Sequence, residues 1–218
     1  MANDFYECIG IGCGPSNLSV ASQLYGLSDT RNIFFEKKTE LSWHNGMMLP
    51  DASLQVSMFK DLVTLAEPTN PFSFVSYLHQ RGRLLPFLNA RFEQISRLEF
   101  ADYLKWAAHT NKNICFGERV QTVDFDGDHF VVETTKRRVL GKNVVVGVGI
   151  ESHLPAFVQP YIDGETNFHI HTFTDKPRPV GGLRVVVIGG GQSGAEAVLG
   201  LLRRTGEHAP SQVSWLSR

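Results

Sequence analysis

The sequence predicts an α/β fold with two Rossmann-like dinucleotide-binding units, the second of them only begun. Three observations predict it. Two glycine-rich turns, Gly10-Ile11-Gly12-Cys13-Gly14-Pro15 and Gly189-Gly190-Gly191-Gln192-Ser193-Gly194, lie about 180 residues apart. Each follows a short apolar run and precedes a stretch with apolar residues at helical spacing. A second apolar run closes each as a βαβ unit, the first ending in Glu36 and the second in Ser217-Arg218.

In chain order, residues 5–11 read as a buried strand, 16–27 as a helix and 32–36 as a second strand. Residues 40–70 have no clean period and are rich in Trp, Met, Pro, Gln and Asn, which suggests a long functional loop. Residues 71–80 and 99–109 read as helices, with Phe100, Tyr103, Leu104 and Ala107 marking one face of the latter. Residues 119–125 and 129–135 read as paired strands around Asp126-Gly127-Asp128, and 142–148 as a further strand. The connection 151–182 ends in Lys176-Pro177-Arg178-Pro179-Val180-Gly181-Gly182, the best candidate boundary. Beyond it, 183–188, 192–204 and 212–217 read as strand, helix and strand. The expected domains are therefore 1–175, including the loop 40–70, and 183–218.

Composition narrows the function classes. The 218 residues are 42% hydrophobic and 20% charged, enough for a sizeable core. A net charge of -1 makes no electrostatic case for nucleic acid or a membrane surface. No apolar stretch approaches the roughly 18 residues of a spanning helix. Met1-Ala2-Asn3-Asp4 lacks the basic and apolar regions of a signal peptide. Cys8, Cys13 and Cys115 have no metal-ligand spacing, and a reducing cytoplasm fits them best.

Each turn suits a pyrophosphate. Gly10, Gly12 and Gly14 permit a tight turn and close backbone approach, and the helix that follows offers N–H groups and a positive dipole end. Pro15 stands where a third glycine is usual; it suits a first helical turn because its missing N–H had no partner there. Glu36, 22 residues beyond Gly14, is placed to bind ribose hydroxyls, the plainer reading being a solvated strand-end acid. Gly189, Gly191 and Gly194 match the full pattern, with Gln192 and Ser193 opening the helix. No acid closes the second unit; Arg218 can pair with a ribose 2′-phosphate that an acid would repel. The asymmetry points to FAD at the first turn and NADPH at the second. A nucleophile elbow over Gly191-Gln192-Ser193-Gly194-Ala195 is the competing reading, but that motif wants glycine where Ala195 stands, and it leaves Gly189 unexplained.

Between the two turns stand Ser42-Trp43-His44-Asn45-Gly46-Met47-Met48-Leu49-Pro50, Leu54-Gln55-Val56-Ser57-Met58-Phe59-Lys60-Asp61-Leu62-Val63, Glu67-Pro68-Thr69-Asn70-Pro71-Phe72-Ser73-Phe74 and Ser96-Arg97-Leu98-Glu99-Phe100. These stretches strongly resemble the flavin-dependent lysine/ornithine N-monooxygenase family of siderophore synthesis. Tyr103-Leu104-Lys105-Trp106-Ala107-Ala108 and the second glycine turn with Gln192-Ser193 fit as well. The likeness covers the whole chain and leans to the lysine branch through Pro68-Thr69-Asn70-Pro71 and Trp215-Leu216-Ser217-Arg218.

The resemblance implies roles. Gln55 and Leu54 would border the flavin ring, and Trp43 and His44 would line its pocket. Lys60, with Gln55, would bind the substrate, Lys60 taking its carboxylate or, for a diamine, shaping that pocket. Arg97 would anchor the helix covering the cofactor, and Val120 with its neighbours to Val123 would offer backbone contacts to the adenine. Gly147-Val148-Gly149 resembles the segment where the chain leaves the FAD domain. Plainer readings stand beside these: core packing for Trp43, a structural hydrogen-bonded histidine for His44, a solvated lysine for Lys60, gap filling for Met47 and Met48, and dipole complementation for Arg203 and Arg204. His169 and His171 form a pair with no third ligand, so no metal is expected.

The implied reaction hydroxylates a primary amine, with one oxygen atom of O2 going to nitrogen and the other to water, and two electrons from NADPH. L-lysine is the expected substrate; ornithine or a diamine (putrescine, cadaverine, diaminopropane) are alternatives by the same chemistry. No acid or base catalyst is assigned, because excluding water and holding the amine neutral are the protein's part. Members of that family run substantially longer, so the chain is expected to be an N-terminal fragment, weakly active or inactive alone. The full-length form is expected to be a homo-oligomer. Two other classes remain: a flavin disulfide reductase, which would want a Cys-x-x-Cys pair that is absent, and a non-catalytic nucleotide-binding module.

Overall fold

Alternation of apolar and small residues makes β1 (Asp4–Ile11) the central rail of a six-stranded sheet. The computed structural model describes residues 4–92 and 94–217. β1 leads through a turn into α1 (Pro15–Leu24) and on to β2 (Asn32–Glu36), which lies parallel to β1 with Gly10 opposite Phe34. β2 is buried along its length until Glu36, as expected of a parallel strand covered on both faces. β3 (Ile114–Phe116) extends the sheet beyond β2, and β6 (Arg138–Val146) runs parallel to β1 on its other side. β5 (Phe130–Thr134) and β4 (Val120–Phe125) follow as antiparallel strands, giving the order β3-β2-β1-β6-β5-β4.

Helices α2 (Phe74–Gln80), α3 (Leu84–Ala90) and α4 (Arg97–Thr110) build the apolar mass beside α1. Phe100, Tyr103, Leu104 and Ala107 of α4 turn inward as their spacing predicts, meeting Leu18, Phe72, Phe74 and Tyr77. Tyr103 is fully buried with its ring 5.3 Å from Phe74 and 5.4 Å from Phe100. Each such side chain contributes about 1.5–3 kcal/mol by leaving water, with edge-on ring pairs adding to it.

The chain divides into two compact units: the residues up to Trp43 together with Ser53–Ile150, and His44–Ala52 with the residues from Glu151 onward. In the second unit β7 (Arg184–Ile188), α5 (Gln192–Leu202) and β8 (Gln212–Leu216) form the second βαβ, with the strands parallel and Val187 opposite Trp215. Its core gathers Met47, Phe173, Val187, Ala197, Val198 and Leu201.

Several elements depart from the sequence reading. The division differs from the expected 1–175 and 183–218: the connection after Glu151 packs with the second unit because Phe168, Ile170, Phe173 and Val180 join the core around α5. The loop 40–70 is likewise split, since Met47 and Leu49 enter that core. α1 stops at Leu24, and Gly26 (φ +82°) reverses the chain shortly after. α2 starts at Phe74 because Ser73 caps it, accepting the Ser76 N–H. β6 starts four residues early; its pattern is masked by Gly141, which leaves room for Ile9. Neither α3 nor β3 was anticipated, both being too short for periodicity to register.

Candidate functional site

The first glycine turn is held from three directions. Gly12 has φ +79°, and a Cβ there would stand 2.6 Å from the Gly147 carbonyl oxygen. The Gly12 N–H donates to Phe35 O (2.8 Å) and the Gly147 N–H to Ile11 O (2.8 Å), so the turn is tied to the ends of β2 and β6. From inside, buried Asn17 donates its amide to Gly12 O (2.8 Å), Ile11 O (3.2 Å) and Val145 O (3.2 Å). Gly147 is glycine because a Cβ there would fall 2.4 Å from the Asn17 amide carbon. On the outer side, Gly14 caps α1 with no atom within 4 Å of an added Cβ. Pro15 is the first helical residue, and the first-turn N–H groups behind it have no preceding helical carbonyl. A cradle closed below and open above, at a positive helix end, suits a phosphate.

Glu36 stands beside this cradle. Its carboxylate accepts the Cys13 N–H at 2.9 Å through Oε2 and the Lys38 N–H at 2.9 Å through Oε1. Those bonds fix both oxygens at the strand end, with lone pairs remaining for a ligand's hydroxyls. A second acid braces the same edge. Buried Glu118 donates its N–H to Glu36 O (2.9 Å), and its carboxylate takes both Nε (2.9 Å) and Nη2 (2.7 Å) of Arg137 and the Thr134 hydroxyl (2.7 Å). Burial opposes its charge, yet the Arg137 and Thr134 hydrogen bonds hold the carboxyl below its ordinary range. Val120 follows at the start of β4, half-buried on the sheet core.

The stretch from Ser53 to Thr64 is an arch between two anchors, exposed at Gln55, Val56, Ser57, Phe59 and Lys60. At one end the Leu54 N–H donates to Ile95 O (2.9 Å) and Ser53 pairs with Ser96, the residue capping α4. At the other, Asp61 accepts four donors: the N–H groups of Val63 (2.9 Å) and Thr64 (2.7 Å) on Oδ1, and the Thr64 hydroxyl (2.7 Å) and Phe74 N–H (2.6 Å) on Oδ2. Between the anchors lie Gln55 and Lys60, both exposed, with Met58 resting on the core. Trp43 packs edge-on against Phe100 at 5.4 Å, and Arg97 is buried at the first position of α4. Thus Leu54, Gln55, Lys60, Trp43, Arg97 and Val120 all fall in the first unit with the first turn. His44 falls in the second, exposed, in the left-handed region (φ +49°), at the cap of a short 3-10 turn.

In the second unit Gly189 (φ +128°) ends β7, and its carbonyl accepts the Trp215 indole N–H at 2.8 Å. A Cβ on Gly194 would stand 2.3 Å from that carbonyl, so helix and strand can approach only at glycine. Gly191 caps α5 with open space around it, and Gln192 and Ser193 form its exposed first turn, Gln192 donating to Glu196 at 2.8 Å. Ser217 faces Gly190, an added Cβ there lying 3.0 Å from the Ser217 Cβ. Arg218 lies outside the described residues.

Sequence reasoning passed over Asn17, Asp61, Glu118 and Tyr103's hydroxyl. Asn17 had a signal, an amide on the inner face of an apolar helix; Asp61 had another, an Asp-x-x-Thr turn pattern. The cysteines are not poised for thiolate chemistry. Burial, helped by Glu36, pushes the Cys13 thiol up to about 12, and burial raises Cys8 and Cys115. Among the described residues no group of three or more His, Cys, Asp or Glu could hold a metal, and no helix is long and apolar enough to cross a membrane.

A family model for L-lysine 6-monooxygenase/L-ornithine 5-monooxygenase matches residues 4–218. The chain is 38% identical over 215 residues to the L-lysine N6-monooxygenase of Escherichia coli, covering 97% of this chain and 50% of that protein. Among solved structures, the FAD-bound cadaverine monooxygenase of desferrioxamine biosynthesis from Erwinia amylovora superposes with a TM-score of 0.89 at 31% identity, over 99% of this chain and 52% of that one. The ornithine N-hydroxylase of Kutzneria sp. 744, with reduced FAD, NADP+ and L-ornithine, gives 0.85 at 35% identity, over 98% of this chain and 53% of that one. The chain spans about half the length of the curated relatives it matches.

Proposed function

The chain belongs to the L-lysine 6-monooxygenase/L-ornithine 5-monooxygenase family, and on that premise we propose that it carries the FAD site and the first part of the NADPH site of an amine N-hydroxylase of siderophore biosynthesis. The observation that carries this reading is the first turn: a Gly12 wedge, an open Gly14 and a Glu36 carboxylate locked by the Cys13 N–H. That donor set fits a dinucleotide, the turn taking the pyrophosphate and Glu36 the ribose hydroxyls. FAD bound there would supply the two-electron reduction and oxygen transfer. Gly189, Gly191, Gln192, Ser193 and Gly194 would receive the NADPH pyrophosphate, and Arg218 its 2′-phosphate.

The chain's own residues have positional tasks. Leu54, Gln55, Trp43 and Arg97, all of the first unit, border or brace the flavin pocket. Lys60 offers a cation for a substrate carboxylate from an exposed arch whose ends are pinned. A lysine side-chain amine has an ordinary pKa near 10.4, so a poorly solvated pocket must favour its neutral, nucleophilic form. L-lysine is the proposed substrate, supported by the 38% identity to a lysine enzyme. The second reading is ornithine or a diamine, favoured by the FAD-bound cadaverine enzyme's superposition.

The deciding assay supplies the full-length protein with FAD, NADPH and, in turn, lysine, ornithine, putrescine and cadaverine, and measures hydroxylamine formed per NADPH oxidised. Hydroxylation of lysine above the others supports the first reading, and a diamine preference selects the second. NADPH oxidation with no hydroxylated amine sinks the monooxygenase assignment. A colourless protein that takes up no flavin sinks the FAD site itself.

A further inference from the structure

The arch that carries Gln55 and Lys60 has no secondary structure to hold its shape, yet both of its ends are fixed. The C-terminal anchor is the denser. Besides its four bonds to Asp61, it has the Leu62 N–H donating to the Tyr103 hydroxyl (3.2 Å), which itself donates to Phe72 O (2.7 Å). The Leu62 carbonyl accepts the hydroxyl of Ser19 in α1, the helix that opens at the first glycine turn. Tyr103 is fully buried, and Leu62 and Val63 are 5% and 1% exposed, so this knot is part of the core. One carboxylate thus links the base of Lys60 to the start of α2 and, through Leu62, to the turn helix.

We propose that Asp61 is a positioning residue for the amine substrate: its carboxylate sets where the Gln55–Lys60 arch stands relative to the first glycine turn. The inference rests on the reading of Lys60 as the substrate's carboxylate partner. An arch held at only one end samples many conformers, and a cation that must meet a carboxylate loses affinity with each unproductive one. Asparagine is the informative substitute. Its single oxygen can keep the Val63 and Thr64 N–H bonds, but its amide nitrogen turns a donor toward the Phe74 N–H. The knot loosens without leaving a cavity.

The test compares wild type, Asp61→Asn, Lys60→Ala and the double variant in the FAD-loaded full-length protein, with Thr64→Val as a milder probe of the same knot. Hydrogen exchange is read over residues 53–62, and KM for the amine is read against the rate of flavin reduction by NADPH. Asp61→Asn is expected to speed exchange in the arch about tenfold and raise the amine KM about tenfold, with flavin reduction within twofold of wild type. Thr64→Val should do the same to a smaller extent. Added to Lys60→Ala, Asp61→Asn should raise KM no further, because the residue it positions is already gone. Unchanged exchange in the arch, or a KM effect that adds in full to that of Lys60→Ala, overturns the proposal. Faster exchange in a protein that hydroxylates no amine upholds the arch device and removes the reaction reading instead.

Discussion

The two glycine turns share a sequence pattern and differ in how they are built. At the first, the wedge is Gly12 against the Gly147 carbonyl, buttressed by Asn17, and the turn lies in a sheet with strands on both sides of β1. At the second, the wedge is Gly194 against the Gly189 carbonyl, steadied by one indole N–H, and the sheet has two strands. On β7, Val186 and Ile188 are 56% and 66% exposed while Val187 is buried. The same motif is therefore braced by a multi-strand sheet and a buried amide in one place, and by a single strand pair and one indole in the other. The fingerprint specifies a conformation, and the surrounding sheet decides how firmly it is held.

The largest break in that comparison should come from Glu118, which has no counterpart in the second unit among the described residues. Glu118→Ala leaves the Thr134 hydroxyl and the Arg137 guanidinium facing an emptied site; because Arg137 is 41% exposed and solvent can meet it, the cost is about 3 kcal/mol, the low end for breaking a buried pair. Denaturant unfolding should show the loss in the first unit, with hydrogen exchange in β7 and β8 unchanged. Loss spread equally over both units would show that they unfold together and that the contrast is one of geometry alone.

Next come the wedges. Gly12→Ala meets left-handed strain and a backbone clash together, about 2–4 kcal/mol. Gly194→Ala meets the clash alone, about 1–3 kcal/mol. Gly14→Ala and Gly191→Ala, both with open space, should leave thermal stability nearly untouched. FAD content after purification separates the pairs: Gly12→Ala should lose flavin and Gly194→Ala should retain it. If Gly194→Ala also purified colourless, the assignment of different cofactors to the two turns would not stand.

Glu36→Gln is subtler. The Cys13 N–H keeps an acceptor, but the Lys38 N–H and a ribose lose a charged one, so FAD affinity should fall about tenfold, roughly 1.4 kcal/mol. Equal affinity in a fluorescence titration would return Glu36 to the status of a structural strand-end acid.

The smallest effects are in pH. Glu118 has a depressed folded pKa, so its contribution is present above the ordinary carboxylate value, near 4.3, and is lost as pH falls through the lower folded value. His169 is lowered by burial and then by His171, so its neutral form is favoured; its contribution is present above pH ~6.5 and is lost as pH falls below that. The second unit should therefore weaken on mild acidification, before the first. Hydrogen exchange at pH 7 and 5.5 reads the order, and His169→Gln should flatten the milder step.

How much of this was legible depended on the range of the interactions. β1, β2, α4 and both turns declare themselves through period and glycine spacing, which are local. α3 and β3 are too short to show a period, and β6 hid four residues behind Gly141, whose missing side chain makes sense only with Ile9 beside it. The compact units do not divide where the Pro/Gly-rich segment 176–182 suggests, because Met47 and Leu49 pack far along the chain with Phe173 and α5. In the site, Glu36 and Lys60 stand out by motif. Asp61 and Asn17 look like ordinary turn and helix residues until the carbonyls and N–H groups they serve, as much as 128 residues away, come into view.

The inward-facing sulfur of Cys13 bears on how such a protein ages. With its pKa raised to about 12, the sulfur is held as the neutral thiol at neutral pH, and it is the thiolate that attacks peroxide. Its burial makes it chemically mute: the backbone N–H of this residue serves Glu36 while its side chain is withheld from corrosion. A slow thiol-reagent titration of the folded protein would record that durability.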